Sequence, residues 1–207
     1  MPDLTAIADQ VSTCTLCKLG RGTSRPVPGE GNPNATVMLI GEAPGFYEDQ
    51  QGRPFVGPAG QFLDDLLQLA GLSRQEVFIT NVIKHRPPGN RDPEADEIEA
   101  CEVYLRAQIE ALRPRVIVTL GRYSLAKFVP NVRSMRDIHG KAFPYGDSVV
   151  VTMYHPAAAL HQGSLRTVLE EDFRNLPGVV ERARARVAAG AAAGGLPDKP
   201  PQQMALW

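Results

Sequence analysis

Four short apolar, β-branched runs, at residues 36–40, 76–81, 115–120 and 148–153, constrain this chain more than any other feature. Each is continuously apolar rather than alternating, the pattern of a strand covered on both faces. Between them lie stretches with the helical period. Residues 60–72 carry Phe62, Leu63, Leu66, Leu67 and Leu69, and residues 94–112, entered after Pro93, carry Ile98, Val103, Leu105, Ile109 and Leu112. A shorter candidate covers 123–128, and a last amphipathic stretch runs from 164 to 187, interrupted at Pro177. Strands alternating with helices predict an α/β protein: a three-layer α/β/α sandwich around a central four-stranded, mainly parallel sheet. Residues 1–187 are expected to form one domain. From Ala188 the chain turns to Ala, Gly and Pro, the composition of a flexible tail over 188–207.

The 207 residues suffice for one well-filled core. A formal net charge of −1 gives no global attraction to nucleic acid, so any such partner must be held by local basic groups. Two clusters offer themselves, Lys84, Arg86 and Arg91 in one stretch and Arg133, Arg136 and Lys141 in another; ordinary solvated charge is the alternative. No run of about 18 apolar residues is present, which argues against a membrane span. The opening Met1-Pro2-Asp3-Leu4 lacks the basic-then-apolar order of a signal peptide, so a cytoplasmic protein, and a monomer, is expected. Three cysteines in such a chain argue against a disulfide framework and for a metal site.

Cys14 and Cys17 form a C-x-x-C pair, and Cys101 is the remaining cysteine. A tetrahedral thiolate site needs one more ligand, and His85 is a suitable imidazole donor. Three cysteines and one histidine suit either zinc or an iron–sulfur cluster, some of which accept histidine. Cys101 as a plain core cysteine is the alternative. In either metal reading the role is structural, joining the N-terminal segment to the segment after the second strand.

In parallel sheets ligands bind beyond the carboxyl ends of the strands. After the first strand comes Gly41-Glu42-Ala43-Pro44-Gly45-Phe46-Tyr47-Glu48-Asp49, a turn whose glycines admit close backbone approach and whose carboxylates can position water or stabilise positive charge. Asn81 ends the second strand, where a carboxamide can read a polar base edge or cap a turn. Phe55, between Gly52 and Gly57, is a stacking platform or a core residue. His155 stands at the end of the last strand, just before a helix, where it can act chemically or only cap and pack.

Together these segments resemble the thermostable iron–sulfur uracil-DNA glycosylases, the fourth family of that superfamily. The resemblance spans nearly the whole chain. It runs through Cys14 and Cys17, Gly29-Glu30-Gly31-Asn32-Pro33, Gly41-Glu42-Ala43-Pro44-Gly45 and Gly52-Arg53-Pro54-Phe55-Val56-Gly57. It continues through Thr80-Asn81-Val82-Ile83-Lys84, Arg86-Pro87-Pro88-Gly89-Asn90-Arg91, Val118-Thr119-Leu120-Gly121 and His155-Pro156. It implies a 4Fe–4S cluster, uracil-containing DNA as substrate, and hydrolysis of the N-glycosidic bond of a uracil flipped into a pocket. Carried over, it implies that Phe55 stacks on the uracil, Asn81 bonds its polar edge, and Glu42 and Ala43 line it with backbone, in a turn that includes Gly45. Glu48 then shapes the pocket near the methyl position, His155 faces O2, and Glu42 is the catalytic carboxylate.

Two departures from the family pattern matter. His85 stands where the family has its third cysteine ligand, which makes it the expected cluster ligand. A histidine there also resembles the related branch that becomes covalently trapped on uracil-DNA. The basic insert with its own reactive histidine, which marks that branch, is missing between His85 and Cys101, so ordinary turnover is expected. His139 occupies a position where these enzymes often have Arg, and a DNA contact is expected there. Finally, Gln203-Met204-Ala205-Leu206-Trp207 looks like the short peptides with which repair proteins dock on sliding clamps.

Overall fold

The structure is a computed structural model that describes residues 3–129, 132 and 134–190; Arg133 of the second basic cluster and the peptide 203–207 lie outside them. One sheet contains β1 (Glu30–Gly31), β2 (Val37–Gly41), β3 (Phe78–Asn81), β4 (Val116–Leu120), β5 (Ala142–Tyr145) and β6 (Ser148–Met153), in the order β1-β3-β2-β4-β6-β5. The four predicted strands are its inner four, β3-β2-β4-β6, and every pair among them is parallel.

The sheet has six strands rather than the four expected, because β1 and β5 add antiparallel edges to β3 and β6. Neither edge has the burial that made the inner strands legible. β1 is two residues long, and β5, Ala-Phe-Pro-Tyr, alternates between exposed and half-buried positions. Pro144 is tolerated there because an edge strand leaves one row of N–H groups unused.

Around the sheet lie α1 (Leu4–Ser12), α2 (Phe46–Gln51), α3 (Pro58–Leu69), α4 (Ala95–Leu112), α5 (Arg122–Ala126), α6 (Pro156–His161) and α7 (Ser164–Gly190). Their ends follow local chemistry. Asp3 caps α1 by accepting the Ala6 N–H at 2.7 Å, Pro58 opens α3 at a position that needs no N–H, and Glu97 folds back onto the Glu94 N–H at 2.8 Å to start α4. α7 runs through Pro177 instead of breaking there and reaches Gly190, beyond the helix end expected at 187. The proline removes one helical bond, but Leu176, Val179 and Val180 around it are buried against the sheet, and that packing holds the helix together.

Burial on both faces explains the continuous apolar runs. Val37, Leu39, Val116, Val118, Leu120, Val151 and Met153 join Phe62, Leu63, Leu66 and Leu67 of α3 and Leu169 and Phe173 of α7 in one cluster. The intervening Met38, Ile40, Ile117 and Val150 join Ile7 and Val11 of α1 and Tyr104, Leu105 and Leu112 of α4 in the other. Successive side chains point to opposite faces, and both faces are dry. Consequently only the strand ends can present polar groups. The register brings Gly41 beside Asn81 and Leu120 beside Met153, so the loops after β2, β3, β4 and β6 leave the sheet along one edge. Among the described residues, no helix is long and apolar enough to cross a membrane.

Phe173 has no exposed surface and lies where α7 meets the sheet, whereas Leu69 at the end of α3 is 39% exposed. Phe173→Ala is therefore expected to lower unfolding free energy by about 3–5 kcal/mol, and Leu69→Ala by less than about 1 kcal/mol, both measured by chemical denaturation.

Candidate active site

A cavity of about 390 Å³ opens at the carboxyl edge of the sheet, and Glu42, Ala43, Gly45, Glu48, Phe55, Asn81 and His155 all line it. Residues drawn from four separate segments of the sequence therefore converge on one cleft.

Asn81, the last residue of β3, is 1% exposed. Its Oδ1 is buried and, among the described residues, is the one buried side-chain oxygen or nitrogen without a hydrogen-bond partner. Leaving a carboxamide oxygen unsatisfied costs roughly 1–3 kcal/mol, so a donor entering the cavity would be favourably placed at this atom. Gly41 makes the arrangement possible. A Cβ there would collide with Asn81 Oδ1 and lie 2.6 Å from Cζ of Phe55.

Phe55 lies across the same space in a left-handed backbone conformation, φ +52°, which costs a non-glycine residue about 1–3 kcal/mol. Arg74 supplies the restraint, donating to the Phe55 carbonyl at 2.9 Å and the Pro54 carbonyl at 2.6 Å while paired to Glu30 and Asp64. Gly60 leaves room for the Phe55 carbonyl that any side chain would strike. The expected stacking platform already has a neighbour: its ring lies 5.5 Å from that of His155, inclined by 27°.

Glu48 lines the cavity, but its oxygens are committed to backbone. Oε1 accepts the N–H groups of Val56 and Gly57 at 2.8 and 2.9 Å, and Oε2 accepts that of Gly45 at 3.1 Å. One carboxylate thus ties the β2–α2 turn to the loop carrying Phe55.

His155 both caps a helix and faces the cavity. Its Nδ1 accepts the Ala157 N–H at 3.1 Å at the start of α6. The ring keeps some accessible surface, yet burial pulls its pKa down to about 4, against the opposing influence of the Glu48 carboxylate. At neutral pH the imidazole is uncharged, and because Nδ1 accepts, its proton is on Nε2. Glu42 is shifted the other way. Burial first, then the negative charge of Asp92, raise its pKa to about 7, with Arg122 partly offsetting them. Asp92 and Arg122 form an ion pair, and the Arg122 guanidinium lies 4.7 Å above the Tyr123 ring.

Neither Arg74 nor the Asp92–Arg122 pair has a local sequence signature, because each acts across a long sequence separation. The rim carries three exposed apolar side chains, Phe46, Tyr47 and Leu160, with the Arg86 guanidinium 5.1 Å from the Phe46 ring centroid. The first basic cluster is not a surface patch. Lys84 is completely buried, with burial lowering its pKa to about 8, and Arg91 is occupied by Glu97 at 2.6 Å. His139 is anchored inward, its Nδ1 2.9 Å from Asp172.

Cys14 and Cys17 are half-buried and pack against the same core cluster as the buried Cys101. Burial raises the Cys101 thiol to about 11, the Lys84 charge and N–H oppose this, and Cys14 and Cys17 add to it. Cys101 Sγ accepts the Lys84 N–H at 3.2 Å. His85 is buried too, and burial lowers its pKa against the influence of Asp49. Among the described residues, no group of three or more His, Cys, Asp or Glu side chains is set closely enough to hold a metal ion as it stands, so the expected four-ligand shell is not assembled. In donor chemistry three thiols packed on one core cluster do fit a soft metal centre.

A model of the uracil DNA glycosylase superfamily matches residues 28–175, a span that includes every cavity-lining residue named above. Over 185 residues the chain is 50% identical to the type-4 uracil-DNA glycosylase of Saccharolobus solfataricus, covering 85% of this chain and 86% of that protein. It is 43% identical to the type-4 uracil-DNA glycosylase of Archaeoglobus fulgidus, covering 85% and 92% of the two chains. With that of Thermotoga maritima the identity is 38%, over 85% and 94%. Matches of this extent, over a sheet edge that gathers the same segments into one cleft, mean that the chain belongs to the uracil DNA glycosylase superfamily.

Proposed function

We propose that this protein is a uracil-DNA glycosylase acting in base excision repair, which takes an extruded uracil into the cavity and hydrolyses its N-glycosidic bond. The unpartnered Asn81 Oδ1 carries the reading. Uracil presents an N3–H donor to that oxygen and a carbonyl at O4 to the amide nitrogen, whereas cytosine presents an acceptor and a donor in the opposite order. Cytosine would leave buried groups unpaired, and a site built this way rejects such an analogue strongly. The type-4 relatives, named for action on uracil in DNA, point the same way.

The chemistry follows from two opposite pKa shifts. As the bond between C1′ and N1 breaks, its electron pair leaves with the base and positive charge builds on the sugar. The ionised Glu42 carboxylate stabilises that charge and orients a water, whose oxygen bonds to C1′ and whose proton is released. Neutral His155 donates from Nε2 to O2, where negative charge gathers on the departing uracil; Phe55 packs against the ring. Glu48 holds the two loops in place, closing the space that a methyl at C5 needs. Extruding a nucleotide costs a few kcal/mol, least from single strands and mispairs, so those substrates are cleaved fastest.

A 4Fe–4S cluster held by Cys14, Cys17 and Cys101, with His85 as fourth ligand, fits the donor chemistry; zinc is the alternative occupant. When bound, such a group supplies structural bracing between the N-terminal segment and α4, outside the cavity. The protein is read as a cytoplasmic monomer of one domain with a tail, and the 203–207 peptide as a tether to a sliding clamp that raises local concentration on DNA.

Glu42→Ala and His155→Ala are each expected to lower the single-turnover rate on uracil DNA by roughly 100-fold or more. Because Glu42 acts ionised and its pKa is raised to about 7, the wild-type rate should climb as pH rises through that value and then level off. Glu42→Ala should abolish that limb. Near-native rates in both folded variants would remove these groups from the mechanism, and a panel containing hypoxanthine, xanthine and thymine mispairs checks the base range. Purified protein should contain iron and sulfide and absorb near ~400 nm; zinc without sulfide would overturn the cluster. Deleting residues 203–207 should weaken binding to the clamp, and unchanged affinity would dispose of the tether.

A further inference from the structure

Lys84 is a completely buried side chain, and among the described residues no carboxylate is paired with it. Its Nζ donates to Thr80 Oγ1 at 2.7 Å, to the Asn81 carbonyl at 2.8 Å and to Gln108 Oε1 at 2.7 Å. Each partner is free to accept. The Thr80 hydroxyl spends its one proton on the Pro28 carbonyl at 3.0 Å, and the Gln108 amide also donates to that carbonyl, at 2.6 Å. Three acceptors match the three N–H groups of an ammonium. A cation buried among neutral groups is an expensive choice where an apolar side chain would pack as well, so its position calls for a reason.

That position is behind the floor of the cavity. Among the described residues Asn81 Oδ1 has no hydrogen-bond partner, so no protein group bonded to that oxygen fixes its direction. The backbone that carries the side chain helps to set its aim, and Lys84 grips that backbone from below while anchored to α4 through Gln108. We infer that Lys84 is a positioning residue for base recognition, its ammonium pinning the Thr80–Asn81 end of β3 so that the Asn81 carboxamide stays aligned for the uracil edge. The inference rests on the reading of Asn81 as the group that contacts uracil. It also accounts for the choice of lysine: three divergent bonds from one atom fix a strand end to α4, which no apolar side chain does. A misplacement of about 1 Å at a recognition group is enough to cost on the order of 100-fold in rate.

The test is a double-mutant cycle read by single-turnover excision from a uracil-containing single-stranded oligonucleotide, with folding checked by thermal unfolding and metal content measured for each variant. Lys84→Met keeps the backbone N–H that Cys101 accepts and removes the ammonium. It is expected to slow excision about 10- to 100-fold in the wild-type background and to have almost no further effect in an Asn81→Ala background. A purely structural lysine would give the same fold-loss in both. Equal losses, or a folded Lys84→Met protein with the wild-type rate, would overturn the inference while leaving the role of Asn81 intact. If Asn81→Ala alone excises uracil at the wild-type rate, the recognition role of Asn81 fails, and this inference with it. Should Lys84→Met not fold, Thr80→Val, which removes one anchor of the ammonium, replaces it in the cycle with the same two outcomes deciding.

Discussion

Burial of both faces of the parallel sheet is the constraint on which the rest of the molecule depends. With α3 and α7 on one side and α1 and α4 on the other, the four inner strands have no wet surface along their length. Polar chemistry is thereby confined to the row of carboxyl ends, and parallel pairing puts those ends on one edge. Gly41, Asn81 and the turns leading to Arg122 and His155 are neighbours in space for this reason alone. The same dryness shifts the cavity's titratable groups, holding His155 uncharged and making Glu42 slow to ionise. Fold and chemistry are consequences of a single partition between dry faces and a wet edge.

The inner strands could be read from the residues because two-sided burial writes itself as uninterrupted Val, Ile and Leu. The edge strands could not, since Glu30–Gly31 and Ala142–Tyr145 bury too little to leave a pattern. Helix α7 was legible in its amphipathic face but not in its passage through Pro177, where tertiary packing outweighs a local breaker. Within the cavity, Glu42, Asn81 and His155 were marked by standing at strand ends, and Phe55 by its flanking glycines. Lys84 looked like one member of a basic surface cluster; nothing local distinguishes a solvated lysine from one enclosed by Thr80, Gln108 and a carbonyl. Arg74 was equally invisible, because its bonds reach Phe55, Pro54 and Glu30 through space. Cys14 and Cys17 pack against the core cluster that contains Cys101, while His85 is influenced chiefly by its burial and by Asp49.

The cleft belongs to a chain whose formal net charge is −1. The ionised carboxylates and arginines around it are mostly paired with one another, Arg91 with Glu97, Arg122 with Asp92 and Arg74 with Glu30. Those pairs spend their charge on holding loops rather than on attracting a polyanion. On the proposed reading, discrimination at the base is left to neutral donors and acceptors in a confined space, where a mismatch in hydrogen-bonding pattern is strongly felt.

Glu48 gives this confinement its stiffness. By accepting three backbone N–H groups from two loops, it joins the wall beside Glu42 to the wall beside Phe55, and Arg74 braces the second wall from behind. A cleft stitched together in this way keeps its shape before any nucleic acid arrives. On the proposed reading the deformation of the encounter is extrusion of the base, and the ease with which a given base leaves its stack helps to sort one site in a genome from the next.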